Sequence, residues 1–237
     1  MKRSILGSAR WWIVATLACV GTALIAFAPQ GVATSMATQA KTPKYIGSAK
    51  CKNCHASAET GDQYGVWQKM GHAKAYEVLA SDEAKKVAAE KGIADAQKDD
   101  KCLKCHVTAF GVPAEQIAKG FDIKLGVQCE SCHGPGEAHM KARLAAAAAE
   151  GGDKKPVVLG EGEIISTPDK KLCAGCHNTE SPSYKPFCYY KNREKNAHLN
   201  PKRERSEAQK KELAKKCGCA DKCPTPECAE GKCGVDG

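Results

Sequence analysis

The pattern Cys-x-x-Cys-His occurs four times in a chain of 237 residues, and no other feature limits the fold so tightly. The copies are Cys51-Lys-Asn-Cys54-His55, Cys102-Leu-Lys-Cys105-His106, Cys129-Glu-Ser-Cys132-His133 and Cys173-Ala-Gly-Cys176-His177. Two cysteines three apart on one helical turn face the same side, so both sulfurs can reach the two vinyl groups of a single haem. The histidine that follows sets its imidazole under the iron as the proximal ligand. Zinc sites also use Cys-x-x-Cys pairs, but they do not require His directly after every pair. A thioredoxin-like site needs one such pair in a βαβ setting, which this sequence lacks. Structural disulfides need no His. The reading is four covalently bound haem c groups, held by Cys51, Cys54, Cys102, Cys105, Cys129, Cys132, Cys173 and Cys176.

Seven histidines are present, and His55, His106, His133 and His177 are spent as proximal ligands. His72, His139 and His198 remain for the distal sides. A methionine could serve as well. Met70 and Met140 each lie beside one of these histidines and read as helix packing. Cysteine thiolate and lysine are the other options. The simple count gives three bis-His irons and one iron with an open position.

The rest of the chain is poor in core material. It has only four Phe, one of them in the N-terminal apolar run, and its mean hydropathy is −0.44. So polar a chain buries too little surface to offset its conformational entropy unless something else supplies the core. Porphyrins fill that role. The formal charge is +9. Lys2, Arg3 and Arg10 account for three of those charges, and four ferric haems with ionised propionates remove about four more, which leaves about +2. The basic excess therefore does not argue for a nucleic-acid partner.

The N-terminus has the order of a secretory signal: a basic start, an uncharged apolar run from Trp11 to Ala28, Pro29, and Ser35-Met36-Ala37 as a cleavage site. The division expected is a signal peptide over 1–37, a tetrahaem domain over 38–200, and a charged helix with a Cys-rich tail over 201–237. The alternative for the first segment is an uncleaved anchor, at the short end for a span and the chain's only route into a membrane. Cys19 belongs to the discarded peptide on the first reading. Secretion makes the location periplasmic.

Along the middle, Asp62 to Lys91 reads as a helix ended by Gly92, with Trp67, Met70, Lys74 and Val78 at helical spacings. The second and third motifs begin 27 residues apart, which points to closely placed haems. Phe121 to Val127 reads as a short extended stretch. A helix is expected from Glu137 to Glu150, stopped by Gly151-Gly152. Lys154 to Thr167 reads as loop, with a short strand at Val157 to Leu159. Arg203 to Lys216 is a solvated helix. Cys188, Cys217, Cys219, Cys223, Cys228 and Cys233 fit no haem motif. Disulfides, a thiolate site for Cu(I) or Zn, and a disordered tail all remain open for them.

Four segments carry a family resemblance. They are Tyr45 to His55 (YIGSAKCKNCH), Trp67 to Leu79 (WQKMGHAKAYEVL), Gly126 to His139 (GVQCESCHGPGEAH) and Leu172 to Phe187 (LCAGCHNTESPSYKPF). Here the chain resembles the cytochrome c554/c-prime family of tetrahaem proteins. The Cys-rich tail is not part of that pattern. The resemblance implies a mainly α fold built around stacked haems, with little regular sheet. It implies crossed ligation: His139 opposite His55, His72 opposite His133, His198 opposite His177, and a five-coordinate, high-spin iron on His106. That open iron agrees with the count of histidines.

The function implied is electron transfer between redox proteins, because bis-His ligation gives lower potentials than His/Met and several close haems form a wire. The resemblance further implies a multihaem hydroxylamine-oxidising enzyme as electron donor, an acceptor on the quinone side of the membrane, and a place in nitrogen metabolism. The alternative is a reductase of a small ligand such as nitric oxide at the iron of His106. A third role, metal binding or partner docking, is open to the Cys-rich tail.

Overall fold

The computed structural model describes residues 42–149, 151, 158–185 and 188–214. The N-terminal segment expected to be a signal, Gly152, Val157 and Cys217 to Cys233 lie outside the described residues. The described part is helical, with no strand. Its only sheet-like feature is an isolated parallel bridge between Tyr45 and Ile117. The expected mainly α architecture is what is found.

The helices are short. They are α1 (Ser48–His55), α2 (Gln63–Gln68), α3 (Asp82–Glu90), α4 (Asp100–His106), α5 (Cys129–His133), α6 (Glu137–Ala148), α7 (Lys170–Ala174), α8 (Tyr189–Asn196) and α9 (Glu207–Ala214). Single 3₁₀ turns join several of them. Side-chain caps start five of the described helices, α2, α3, α4, α7 and α8. Ser81 Oγ accepts from Ala84 N at 3.2 Å, Asp99 Oδ1 from Lys101 N at 2.9 Å, and Asp169 Oδ1 from Leu172 N at 3.0 Å.

The single helix expected over 62–91 is broken into four pieces. Met70 is extended (φ −78°, ψ 153°), so the chain leaves α2 and re-enters a 3₁₀ turn at Gly71–Lys74. Ser81 is extended too, because it caps α3. The break puts His72 in that 3₁₀ turn rather than on one continuous helix. Likewise, the extended stretch expected over 121–127 contains a 3₁₀ turn at Ile123–Leu125, started by Asp122, whose carboxylate accepts from Lys124 N at 2.9 Å. Val158 and Leu159 form no strand.

Apolar burial is slight. One cluster gathers Leu79, Ala88 and Ala96 with Ile93, Cys102 and Leu103 against it. The largest fully buried side chains are instead Gln128, Thr108 and Ser48, all polar. They tie α1 to α5. Gln128 Oε1 accepts from Ser48 N at 2.8 Å, and its Nε2 donates to Asp122 O at 2.9 Å. Glu130, 3% exposed, accepts from Ile46 N (2.8 Å), Gly47 N (2.7 Å) and Gly136 N (2.6 Å). A buried carboxylate with three backbone donors is well satisfied, and here it clamps the start of α1 and the start of α6 onto α5. Meanwhile Phe110, Leu144, Ile165, Leu172 and Leu199 stay exposed. Apolar side chains left open beside a scant core mark a surface made to be covered.

Candidate metal centres

Each Cys-x-x-Cys-His copy sits on a helical turn. The first ends α1, the second ends α4, and the third is the whole of α5. The fourth starts in α7 and keeps its turn through His177 N to Cys173 O at 2.9 Å. All eight cysteines are unpaired thiols. Burial pushes the Cys132 thiol up to about 11 and Cys176 to about 12, the latter helped by the nearby Cys105. Thiols held protonated are poor nucleophiles and poor bare-metal ligands. A thioether asks for no such ionisation.

Six of the seven histidines meet in pairs. His55 and His139 have ring centres 6.0 Å apart, His72 and His177 6.0 Å, and His133 and His198 5.9 Å. Two metal–imidazole bonds of about 2.0 Å, with the half-width of each ring, put rings on opposite sides of one ion about 6 Å apart. His139 thus stands beside His55, the juxtaposition expected. The other two expected pairs are exchanged. His72 faces His177 rather than His133, and His198 faces His133 rather than His177. The reason lies in the 71–75 turn. Val127 N donates to His72 O at 3.0 Å, and Trp67 Nε1 donates to Val127 O at 2.9 Å. Gly126, at φ +73°, makes the close approach possible, since a Cβ there would stand 2.8 Å from His72 O. This fastening fixes His72 to the backbone just before α5, and its ring reaches His177. No imidazole faces His106.

The ring nitrogens are also ordered. Nδ1 lies 3.3 Å from Gln63 Oε1 in His55, 2.6 Å from Ala75 O in His106, and 2.6 Å from Ile165 O in His133. In His139 it lies 2.7 Å from Glu163 Oε1, and in His198 2.7 Å from Asn196 O. A proton on Nδ1 donates to each acceptor and leaves the Nε2 lone pair free, the state a metal needs. Burial lowers the pKa of His55, His72, His133 and His177. It outweighs the opposing hydrogen bonds of His55 and His133, and it keeps these rings neutral at neutral pH.

The motifs form a string. The Cys51 thiol bonds to Cys129, and this contact, with burial, drives its pKa up. Cys132 is a neighbour of Cys173, and Cys176 bonds to Cys105. Lys104 and Glu180 pair at 2.5 Å beside the last contact. These contacts put the first motif beside the third, the third beside the fourth and the fourth beside the second. Thr108 Oγ1 also lies 2.6 Å from Ser131 Oγ, which brings the second motif close to the third, as their spacing predicts.

Among the described residues no three or more His, Cys, Asp and Glu gather as a bare-ion site. Each pair supplies two axial nitrogens, and the remaining donors must come with the ligand. A porphyrin brings four in its plane. Arg143 Nε and Ser48 Oγ are buried without a hydrogen-bond partner. An unanswered guanidinium N–H suits a propionate. The residues present fit haem.

Glu163, Glu130, Gln63 and the Ala75 carbonyl were not visible as site residues in the sequence. Glu163 lies in a loop with no motif, and a backbone carbonyl has no sequence signal. Glu130 occupies a variable position of the third motif, and an acid there was the available hint. Cys188 is disulfide-bonded. Beyond Asn200, α9 holds to α8 through Arg193 Nη2, which donates to Glu212 O at 3.0 Å. No described helix is long and apolar enough to cross a membrane.

The family model for cytochrome c554 and c-prime matches residues 50–134. That stretch holds three of the four motifs and His72; the fourth motif, His139 and His198 follow it. Cytochrome c-554 of Nitrosomonas europaea is 39% identical over 108 residues, which is 44% of this chain and 43% of that relative. The match thus spans less than half of the relative's length. No solved structure matches the chain.

Proposed function

We propose that this chain, which resembles the cytochrome c554 and c-prime family over residues 50–134, is a periplasmic tetrahaem c-type cytochrome that carries electrons between redox proteins. The observation that carries the reading is the set of three imidazole pairs at 5.9 to 6.0 Å, each joining a motif histidine to one from outside a motif. Haem bound there supplies a one-electron couple at each iron. The protein's own residues do the rest. The eight motif cysteines hold the macrocycles. His55 and His139, His133 and His198, and His177 and His72 set the axial field. The carbonyls of Ala75, Ile165 and Asn196 fix the rings, so little rearrangement accompanies a change of charge.

The motifs lie close to one another, so the protein would pass electrons among its haems. Its donor is proposed to be a multihaem hydroxylamine-oxidising enzyme, and its acceptor a protein on the quinone side of the membrane. Residues 1–37 act as the export signal, 38–200 as the haem domain, and 201–237 as an appended tail. The test is a count. Pyridine haemochrome absorbance and the intact mass of the exported protein should give four haems per chain. Three or fewer refutes the tetrahaem reading.

A second reading is favoured by one observation, that His106 faces no imidazole. An open iron there would bind a small ligand, and nitric oxide is the proposed substrate. Turnover of nitric oxide by the chemically reduced protein tests this. Binding without turnover leaves the protein a carrier.

A further inference from the structure

His139 differs from His55, His106, His133 and His198 in what holds its Nδ1. Gln63, Ala75, Ile165 and Asn196 offer neutral oxygens to His55, His106, His133 and His198. Glu163 offers His139 a carboxylate, Oε1 at 2.7 Å. The Glu163 side chain is 6% exposed. Its Oε2 accepts from Gly160 N at 2.9 Å and from Arg143 Nη2 at 2.8 Å. A carboxylate that takes a backbone N–H and a guanidinium at one oxygen and an imidazole N–H at the other has the partners of an anion. The two contacts at Oε2 lock the carboxylate and leave Oε1 aimed at the ring.

An anionic acceptor draws the Nδ1 proton and makes Nε2 a stronger donor. A stronger donor favours the ferric ion, which carries one more positive charge than the ferrous. Nearby negative charge in a poorly solvated site acts in the same direction. Arg143 offsets part of the distant field, but it touches the oxygen turned away from His139.

We propose that Glu163 is a positioning and potential-setting residue for the haem on His55, through His139, and that it makes this haem lower in potential than the centre of His133 and His198. The proposal rests on the reading of His139 as an axial ligand. Each centre takes up one electron on reduction, and no proton is required.

The test uses the full haem-loaded protein and redox titration followed by ferric electron paramagnetic resonance (EPR). In the wild type, the centre whose ligand planes lie closest to parallel, His55 with His139 at 31°, should be reduced after at least one of the two crossed-plane centres, and its reduction ahead of both overturns the proposal. Glu163→Gln keeps shape and removes charge. It should raise the reduced-to-oxidised ratio of that haem about tenfold at fixed potential, a shift of about 59 mV for one electron, and leave the other three unmoved. An unchanged ratio overturns the proposal. So does a new high-spin signal in Glu163→Gln, since Glu163 would then only hold the ring in place. The wild-type order of reduction decides the matter even where the variant fails to fold. His139→Ala tests the underlying ligand assignment by itself. One new high-spin haem supports that assignment, and none overturns it, and the proposal with it.

Discussion

His72 and His177 meet with ring centres 6.0 Å apart and planes 73° apart, and they come from turns separated by more than a hundred residues. His133 and His198 are similar at 74°, whereas His55 and His139 lie at 31°. Crossed imidazole planes leave the two π-type d orbitals of a low-spin ferric ion close in energy. Nearly parallel planes split them. The expected ferric EPR spectrum therefore has two highly anisotropic low-spin signals and one rhombic signal. Three rhombic signals would mean that the rings are not crossed as found.

Gly126 gives a prediction that reaches two centres at once. Its φ of +73° is unfavourable for any side chain, and an added Cβ would lie 2.8 Å from His72 O and 3.1 Å from Ala75 N. His72 faces His177, and Ala75 holds His106. Gly126→Ala should therefore convert one anisotropic low-spin signal to high-spin and alter ligand binding at the iron of His106. The rhombic signal of the His55 haem should stay. If that signal is the one that changes, the coupling through the 71–75 turn is wrong.

What could be read from the sequence divides by range. The four motifs are local, so spacing alone places their sulfurs and proximal rings, and the histidine count leaves one iron without a partner, which the family resemblance puts on His106. The mainly α fold came from the family resemblance rather than from composition or periodicity. The pairing of His72 and His198 was not legible. It depends on Gly126 and Val127 pinning the 71–75 turn, a contact between segments some fifty residues apart that no periodicity encodes. The helix expected over 62–91 failed for a related reason. The helical spacing of Trp67, Met70, Lys74 and Val78 was real, but Ser81 competes with it by capping α3, and Met70 is drawn into an extended conformation. Glu163 left no trace, because one acid in a loop looks like solvated charge.

Glu130 should be the main polar support of the haem-bearing part. Its two oxygens answer three buried N–H groups, on Ile46, Gly47 and Gly136. Glu130→Ala leaves all three without an acceptor and should cost on the order of 3 kcal/mol. Glu130→Gln keeps one oxygen, so the Ile46 and Gly136 bonds can survive and only that of Gly47 is lost, at about 1 kcal/mol. Denaturant unfolding of the haem-loaded variants, followed in the visible bands, checks the ratio. Equal losses from both would show that shape rather than the acceptor count matters.

The open position on His106 is the last expectation, and the least demanding to measure. Seven histidines cannot supply eight axial positions, and the three pairs use six of them. His106 is anchored through its Nδ1 to Ala75 O at 2.6 Å, so its ring is committed to one side of one iron. In the reduced protein, carbon monoxide should shift about a quarter of the haem absorbance, since bis-His irons do not exchange a strong axial ligand readily. His72→Ala should double the shifted fraction to about a half by opening the iron of His177. A wild-type protein whose spectrum ignores carbon monoxide must find its eighth ligand in a lysine, a methionine or a thiolate. In that case nitric oxide chemistry at His106 loses its basis, and the protein works as a wire alone.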